Sequence, residues 1–175
     1  DNLYDDYANR STASEEARMR VGVHMNERDV KCEINHELPE GQLRKWAYQR
    51  YIKDYLRVVQ SIDDNVGRVL DYLDEEGLTD NTIVIYTSDQ GFFLGDHGWF
   101  DKRFMYEESL RMPFIVRYPP EIPAGTVCDD IVTNVDFAPT FLDYAGVGVP
   151  GDMQGYSARS LFRGRTPDDW QTAMY

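Results

Sequence analysis

Asp89 and Gln90 are the residues whose types and positions best suit chemistry in this sequence. They follow a β-branched and mostly apolar run at residues 82–87, which predicts a strand buried on both faces. In open α/β sheets, ligands bind beyond the carboxyl ends of the strands. A carboxylate and an amide oxygen at such a position are hard donors, so the pair predicts a site for Ca²⁺ or Mg²⁺ rather than for Zn²⁺.

Lys102 is the candidate residue for binding an anion. It lies in the long loop between the first apolar run and the next one, and loops of that length in compact domains are often functional. In a chain of net charge −13, a cation beside a metal site indicates an anionic ligand between the two. The plainer alternative is that Asp89 and Gln90 cap the end of the strand and that Lys102 is a solvated surface charge. The residue types leave both interpretations open.

The composition is that of a folded, acidic protein. The chain has 175 residues, of which 42% are hydrophobic and 13% aromatic, enough to build a packed core. The acidic balance argues against non-specific nucleic-acid binding, which needs a positive face. No apolar run approaches the length of about 18 residues that spans a membrane. Cys32 and Cys128 are too few for a disulfide framework, and they either pair with each other or stay free and buried.

The pattern along the chain predicts an α/β fold. Residues 1–41 have no sustained apolar period and are interpreted as an irregular lead-in with one helical turn near residues 14–19, followed by the main domain at residues 42–175. From residue 43 to residue 73, apolar residues recur every three or four positions, which predicts a long helix. A break is expected near residues 63–67, because this helix would far exceed the average length. Further strands are predicted at residues 113–118 and 131–133, and further helices at residues 135–144 and 158–163.

The motifs around these candidate residues resemble those of the sulfatase family of the alkaline-phosphatase-like superfamily. In chain order they read TSDQG at residues 87–91, LGDHG at 94–98, Lys102, YEE at 106–108 and RMP at 111–113. The similarity extends over about residues 45–163, and an ordered series of motifs is far more specific than a single one. It implies part of an alkaline-phosphatase-like sandwich, with a mixed or mostly parallel sheet flanked by helices.

The resemblance also implies roles for individual residues. Asp89 and Gln90 are expected to bind a divalent cation, usually calcium with magnesium as the alternative, and Lys102 is expected to contact the sulfate oxygens. The implied substrate is a sulfate-ester small molecule or a sulfated sugar, with neither nucleic acid nor a membrane span involved. The resemblance gives His97 no ligand role, and we expect it to hold its glycine-rich loop through hydrogen bonds.

The family's nucleophile motif is missing from this sequence. That nucleophile is a formylglycine made from the Cys or Ser of a Cys/Ser-x-Pro/Ala-x-Arg motif. Neither Cys32 nor Cys128 begins such a motif, and Ser14 has Arg18 at the right offset but Glu16 where Pro or Ala is required. The chain is therefore expected to be the C-terminal part of a sulfatase catalytic domain that lacks its N-terminal half.

We expect the formylglycine and the remaining metal ligands to lie in that N-terminal half. Alone, the chain is expected to be inactive and to form a homo-oligomer, because its strands would lack their sheet neighbours. Two alternatives remain. One is a phosphonate or phosphate ester hydrolase of the same superfamily, and the other is a non-catalytic module that binds a cation or serves assembly.

Overall fold

The computed structural model describes residues 3–174, which form two compact units. The first unit contains residues 3–71 and 90–113, and the second contains residues 72–89 and 114–174. The division at residue 41, which was inferred from where the apolar periodicity begins, stays a prediction. The helices are α1 (Thr12–Glu16), α2 (Glu27–Val30), α3 (Glu40–Glu75), α4 (Glu107–Leu110), α5 (Phe137–Tyr144) and α6 (Arg159–Phe162), and the strands are β1 (Val84–Thr87), β2 (Phe93–Leu94), β3 (Phe100–Asp101) and β4 (Phe114–Arg117).

Helix α3 runs without interruption over 36 residues. The break expected near residues 63–67 is therefore wrong. This segment contains no proline, and two side-chain hydrogen bonds at helical spacing, Gln60 to Asp64 and Arg68 to Asn65, bridge it. The helix ends where Gly77 adopts a positive φ of 65° and the backbone N–H of Leu78 donates to the carbonyl of Leu73.

Residues 3–41 are largely irregular, as expected, but they are also packed. One predicted helical turn is present as α1, slightly earlier than residues 14–19, while α2 was not predicted. α2 begins at a capping box, in which Asn26 and Asp29 bond each other's backbone N–H groups. The core of this part combines lead-in residues with the start of α3, and it consists of Leu3, Val21, Met25, Val30, Ile34 and Ala47.

The second unit contains an antiparallel pair of strands. β1 pairs with β4 in a register that places Val84 opposite Arg117 and Thr87 opposite Phe114. Both strands lie where the sequence predicts them, but β1 is only partly buried and Tyr86 is exposed, contrary to the expectation of two buried faces. Within residues 3–174 there is no parallel strand pair, so the parallel part of the implied sheet stays a prediction.

The third predicted strand, at residues 131–133, is wrong. This segment is irregular, and its hydrogen bonds come from side chains instead of from a neighbouring strand. The carbonyl of Ile131 accepts from the indole N–H of Trp170 at 2.9 Å and from the amide of Gln171 at 3.1 Å. Val132 packs against the core cluster of the same unit, so an apolar run here reflects core packing.

Asp136 fixes the turn that precedes α5. Its fully buried carboxylate accepts four hydrogen bonds, from the backbone N–H and hydroxyl of Thr133, the backbone N–H of Tyr156 and the amide of Gln171, at 2.7–2.8 Å. The predicted helix at residues 135–144 is present, with its first turn in 3₁₀ form and α5 after it. The helix predicted at residues 158–163 is α6. Buried carboxylates are stable when their lone pairs are used in this way.

Both cysteines have free thiols. Cys32 is half-buried and Cys128 is exposed, so the pairing alternative is wrong and only Cys32 is near the interior. Among the described residues, no helix combines the length and the apolar character that crossing a bilayer requires.

Candidate active site

Asp89 lies two residues beyond the end of β1, at the end of the second unit's first segment. Its carboxylate is exposed and accepts one long hydrogen bond from the hydroxyl of Ser88, at 3.3 Å. No cationic side chain of residues 3–174 forms an ion pair with it. The side-chain amide of Asn134 donates to the backbone carbonyl of Asp89 at 2.9 Å. The main chain at Asp89 is thereby tied to the turn that Asp136 fixes, while the carboxylate itself stays accessible.

Gln90 and Gly91 begin the second segment of the first unit. The backbone N–H of Gly91 donates to the carbonyl of Ser109 at 2.8 Å, which places this short run against α4. A Cβ at position 91 would lie 2.2 Å from the carbonyl oxygen of Glu108, so any residue except glycine would force the chain away from α4. The glycine of the TSDQG motif therefore has a packing role beside Gln90.

Lys102 follows β3 and is exposed. Its ammonium lies 5.8 Å from the centroid of the Phe92 ring, within the range of a cation–π interaction. In the described part of the chain no carboxylate pairs with Lys102, whereas its neighbour Arg103 donates to Asp101 at 2.8 Å. Lys102 is thus an unneutralised cation in an acidic chain, and it is available to an external anion.

The predicted site residues belong to different units. Gln90 and Lys102 lie in the first unit, and Asp89 lies in the second. Asp89 and Gln90 are joined by a peptide bond, so they stay neighbours in any arrangement. The approach of Lys102 to this pair stays a prediction.

Arg10 and His97 form a polar network in the first unit that the sequence did not reveal. One guanidinium nitrogen of Arg10 lies 2.8 Å from Nδ1 of His97, and another donates to the hydroxyl of Tyr106 at 3.0 Å. Asp5 accepts from Arg10 through one carboxylate oxygen, at 2.7 and 3.1 Å. Burial alone would raise the pKa of Asp5, but hydrogen bonds from the Tyr7 backbone and from Arg10 outweigh it and lower this pKa.

His97 holds its loop through hydrogen bonds, as expected, and two carboxylates lie near its ring. Its backbone carbonyl accepts from the hydroxyl of Tyr7 at 2.7 Å, and its Nε2 lies 3.4 Å from the carboxylate of Glu108. Asp5 also lies near this ring, with 3.6 Å between its carboxylate and Nδ1. The contacts of Tyr7 and Arg10 with His97 span 90 and 87 residues of chain. No local spacing in the sequence could have indicated them.

Asp89 and Gln90 suit a hard cation but cannot hold one alone. Within residues 3–174, no group of three or more His, Cys, Asp or Glu side chains is placed to bind a metal. Ca²⁺ takes about six to eight oxygen ligands, and a carboxylate with an amide oxygen is a chemically suitable part of such a set. The two donors would therefore fit part of the ligand set of a calcium or magnesium ion, and the metal site stays a prediction.

Comparison with known proteins identifies related sequences. Residues 95–175 match the family described as N-sulphoglucosamine sulphohydrolase, C-terminal. An N-acetylglucosamine-6-O-sulfatase of Bacteroides thetaiotaomicron is 57% identical over 141 residues, which cover 79% of this chain and 25% of the relative. The chain thus spans about a quarter of the length of this curated relative.

Solved structures share the fold. The structure of BT4656 in complex with its substrate D-glucosamine-2-N,6-O-disulfate has a TM-score of 0.86 and 42% identity, over 97% of this chain and 43% of that chain. A phosphonate monoester hydrolase from Silicibacter pomeroyi has a TM-score of 0.68 and 32% identity, over 72% of this chain and 25% of that chain. The likeness to the sulfatase structure confirms the α/β fold expected from the sequence.

Proposed function

The chain belongs to the sulfatase family of the alkaline-phosphatase-like superfamily, and we propose from this premise that its full-length protein hydrolyses sulfate esters. These residues would form the C-terminal part of the catalytic domain. One observation carries the proposal: Lys102 is an exposed cation that pairs with no carboxylate of the described residues. It lies within the family's series of motifs. A sulfate ester supplies the anion that such a cation binds.

Lys102 would bind the sulfate oxygens, and Asp89 and Gln90 would hold part of the coordination of a Ca²⁺ or Mg²⁺ ion. A bound divalent cation stabilises negative charge that develops on oxygen. A sulfate ester leaves with such charge on its bridging oxygen, so a fixed ammonium lowers the barrier by stabilising it. The sequence contains no formylglycine motif, so the nucleophile would come from the remainder of the full-length protein.

The relatives suggest the substrate class. The 57% identical relative bears the name of an N-acetylglucosamine-6-O-sulfatase, and the solved relative binds a disulfated glucosamine. We therefore propose a glucosamine-type sugar with a 6-O-sulfate as the substrate. Incubation of the full-length protein with glucosamine 6-sulfate, followed by ion chromatography of released sulfate, tests this. Glucosamine 3-sulfate is the matched control, and equal turnover of both isomers would contradict the proposed position.

A phosphonate or phosphate ester hydrolase is the second candidate. The likeness to a phosphonate monoester hydrolase at 32% identity favours it over unrelated reactions. The same unneutralised Lys102 would serve either anion, because both esters present tetrahedral anionic oxygens. In the same assay a phosphonate monoester is offered at the same concentration. A larger kcat/KM for the phosphonate than for glucosamine 6-sulfate would select this candidate over the sulfatase.

We expect the isolated 175-residue chain to be inactive and to associate with further copies. Exposed apolar side chains repeat along the middle of α3, among them Val58, Ile62 and Val69. Such patches drive association in water, by roughly 25 cal/mol for each Å² buried. Light scattering should report a dimer or larger species, and a Val58→Glu/Ile62→Glu variant should shift it toward the monomer. A monomeric wild-type chain that releases sulfate would contradict both parts of the expectation.

A further inference from the structure

Arg10 contacts both flanks of the segment that carries Lys102. On the N-terminal flank, a guanidinium nitrogen lies 2.8 Å from Nδ1 of His97. On the C-terminal flank, another nitrogen donates to the hydroxyl of Tyr106 at 3.0 Å. The guanidinium also lies over two aromatic rings, 5.8 Å from the centroid of Trp99 and 5.3 Å from that of Tyr106. Lys102 lies in the exposed stretch between these anchored flanks.

The guanidinium is itself held in one orientation. Asp5 accepts from both Nε and Nη2 of Arg10, at 3.1 and 2.7 Å, and the Asp5 carboxylate is in turn bound by the backbone N–H of Tyr7 at 2.8 Å. A planar guanidinium presents its donors in a rigid fork, so it can hold three groups in one fixed geometry, whereas the three donors of an ammonium rotate on a flexible stem. The ion pair is largely shielded from solvent, with side-chain exposures of 25% and 16%.

Aromatic side chains pack closely within and around the segment between the flanks. The fully buried Trp99 stacks on Phe104 and Tyr106, with ring centroids 5.0 and 5.6 Å apart, and on Tyr7 at 5.5 Å. The rings of His97 and Tyr106 also contact each other, with centroids 5.3 Å apart. Arg10 adds a polar link between Nδ1 of His97 and the hydroxyl of Tyr106.

We propose that Arg10 is a positioning residue for Lys102: by joining His97 to Tyr106, it holds the Lys102 segment in the geometry that binds the sulfate. The inference rests on the proposed function of Lys102. It predicts that the loss of Arg10 loosens residues 97–106 and reduces catalysis only through Lys102. Misplacement of a catalytic group by about 1 Å can cost on the order of 10²-fold in rate.

Amide hydrogen exchange tests whether Arg10 orders residues 97–106, and it does so without reference to activity. In the full-length protein, Arg10→Ala should speed amide exchange in residues 97–106 and leave the middle of α3 unchanged. Arg18→Ala is the matched control, because Arg18 lies in the same lead-in segment and makes no side-chain hydrogen bond or ion pair with the described residues. Tyr106→Phe removes only one of the Arg10 contacts and should give a smaller change in the same place. Unaltered exchange in 97–106 for Arg10→Ala would overturn the proposal.

A double-mutant cycle tests whether Arg10 affects catalysis through Lys102. Arg10→Ala should lower kcat/KM for the sulfate ester by about 10- to 100-fold. In a Lys102→Ala background the same change should alter kcat/KM by less than about twofold, since residues that act through one another are not additive. Equal losses in both backgrounds would show that Arg10 acts elsewhere. A wild-type protein without ester hydrolysis would instead refute the proposed function, and the exchange experiment would still decide whether Arg10 orders the segment.

Discussion

Replacement of Lys102 by alanine should lower the kcat of the full-length protein roughly 10²–10³-fold, the usual loss for one preorganised charge-stabilising donor. Lys102 is exposed, makes no described ion pair, and its ammonium lies 5.8 Å from the centroid of the Phe92 ring. Its removal therefore breaks no salt bridge, and the loss should appear in steady-state kinetics without a shift in thermal unfolding. This combination separates a role in catalysis from a role in stability.

Lys45→Ala is the matched control for this prediction. Lys45 is also exposed and also makes no described ion pair, but it lies on α3, away from the motif-bearing loop in sequence. The control variant should retain wild-type kcat and KM. If Lys102→Ala retained full activity while the protein stayed folded, the anion would bind elsewhere and the solvated-charge interpretation of Lys102 would be correct.

The spacing of apolar residues along the chain predicted those helices and strands of this fold that depend on neighbouring residues. Helix α3 follows from apolar spacing, strands β1 and β4 follow from short apolar runs, and α5 lies within the helix predicted at residues 135–144. The error at residues 131–133 arose because distant contacts decide the structure there. The run at residues 131–133 looks like a strand, but Trp170 and Gln171 satisfy its carbonyl through side chains that lie about 40 residues away in the sequence.

The same distinction between local and distant contacts applies to the candidate site. Asp89, Gln90 and Lys102 were proposed from a strand end, residue chemistry and motif order, all of which are local. Arg10 was missed because its partners are 87 and 96 residues distant, and spacing carries no record of such contacts. The side-chain amide of Asn134 reaches across 45 residues to the Asp89 carbonyl, a contact that no local pattern indicates. Contacts that would position a site are therefore harder to predict than the candidate residues for its chemistry.

Asp89 should be essential for binding of a divalent cation by the full-length protein. Its carboxylate is the charged donor of the pair, and its loss would leave the dication under-neutralised, whereas Gln90 offers only a neutral oxygen. Asp89→Ala should weaken Ca²⁺ binding by more than about 100-fold, because ligands matter more than the outer groups whose loss costs about 10- to 100-fold. Calorimetric titration of chelator-treated protein with Ca²⁺, and separately with Mg²⁺, measures this directly.

A variant of Asn134 should give an intermediate loss of Ca²⁺ affinity in the same titration. Asn134→Ala keeps both proposed ligands and removes only the hydrogen bond to the Asp89 carbonyl, so it should weaken Ca²⁺ binding by about 10-fold. Asp152→Ala removes an equally exposed carboxylate from a loop outside the motifs and should leave the affinity unchanged. An affinity in Asp89→Ala equal to that of the wild type would place the cation on other residues. An equal loss in Asp152→Ala would show that net charge, rather than coordination by Asp89, controls binding.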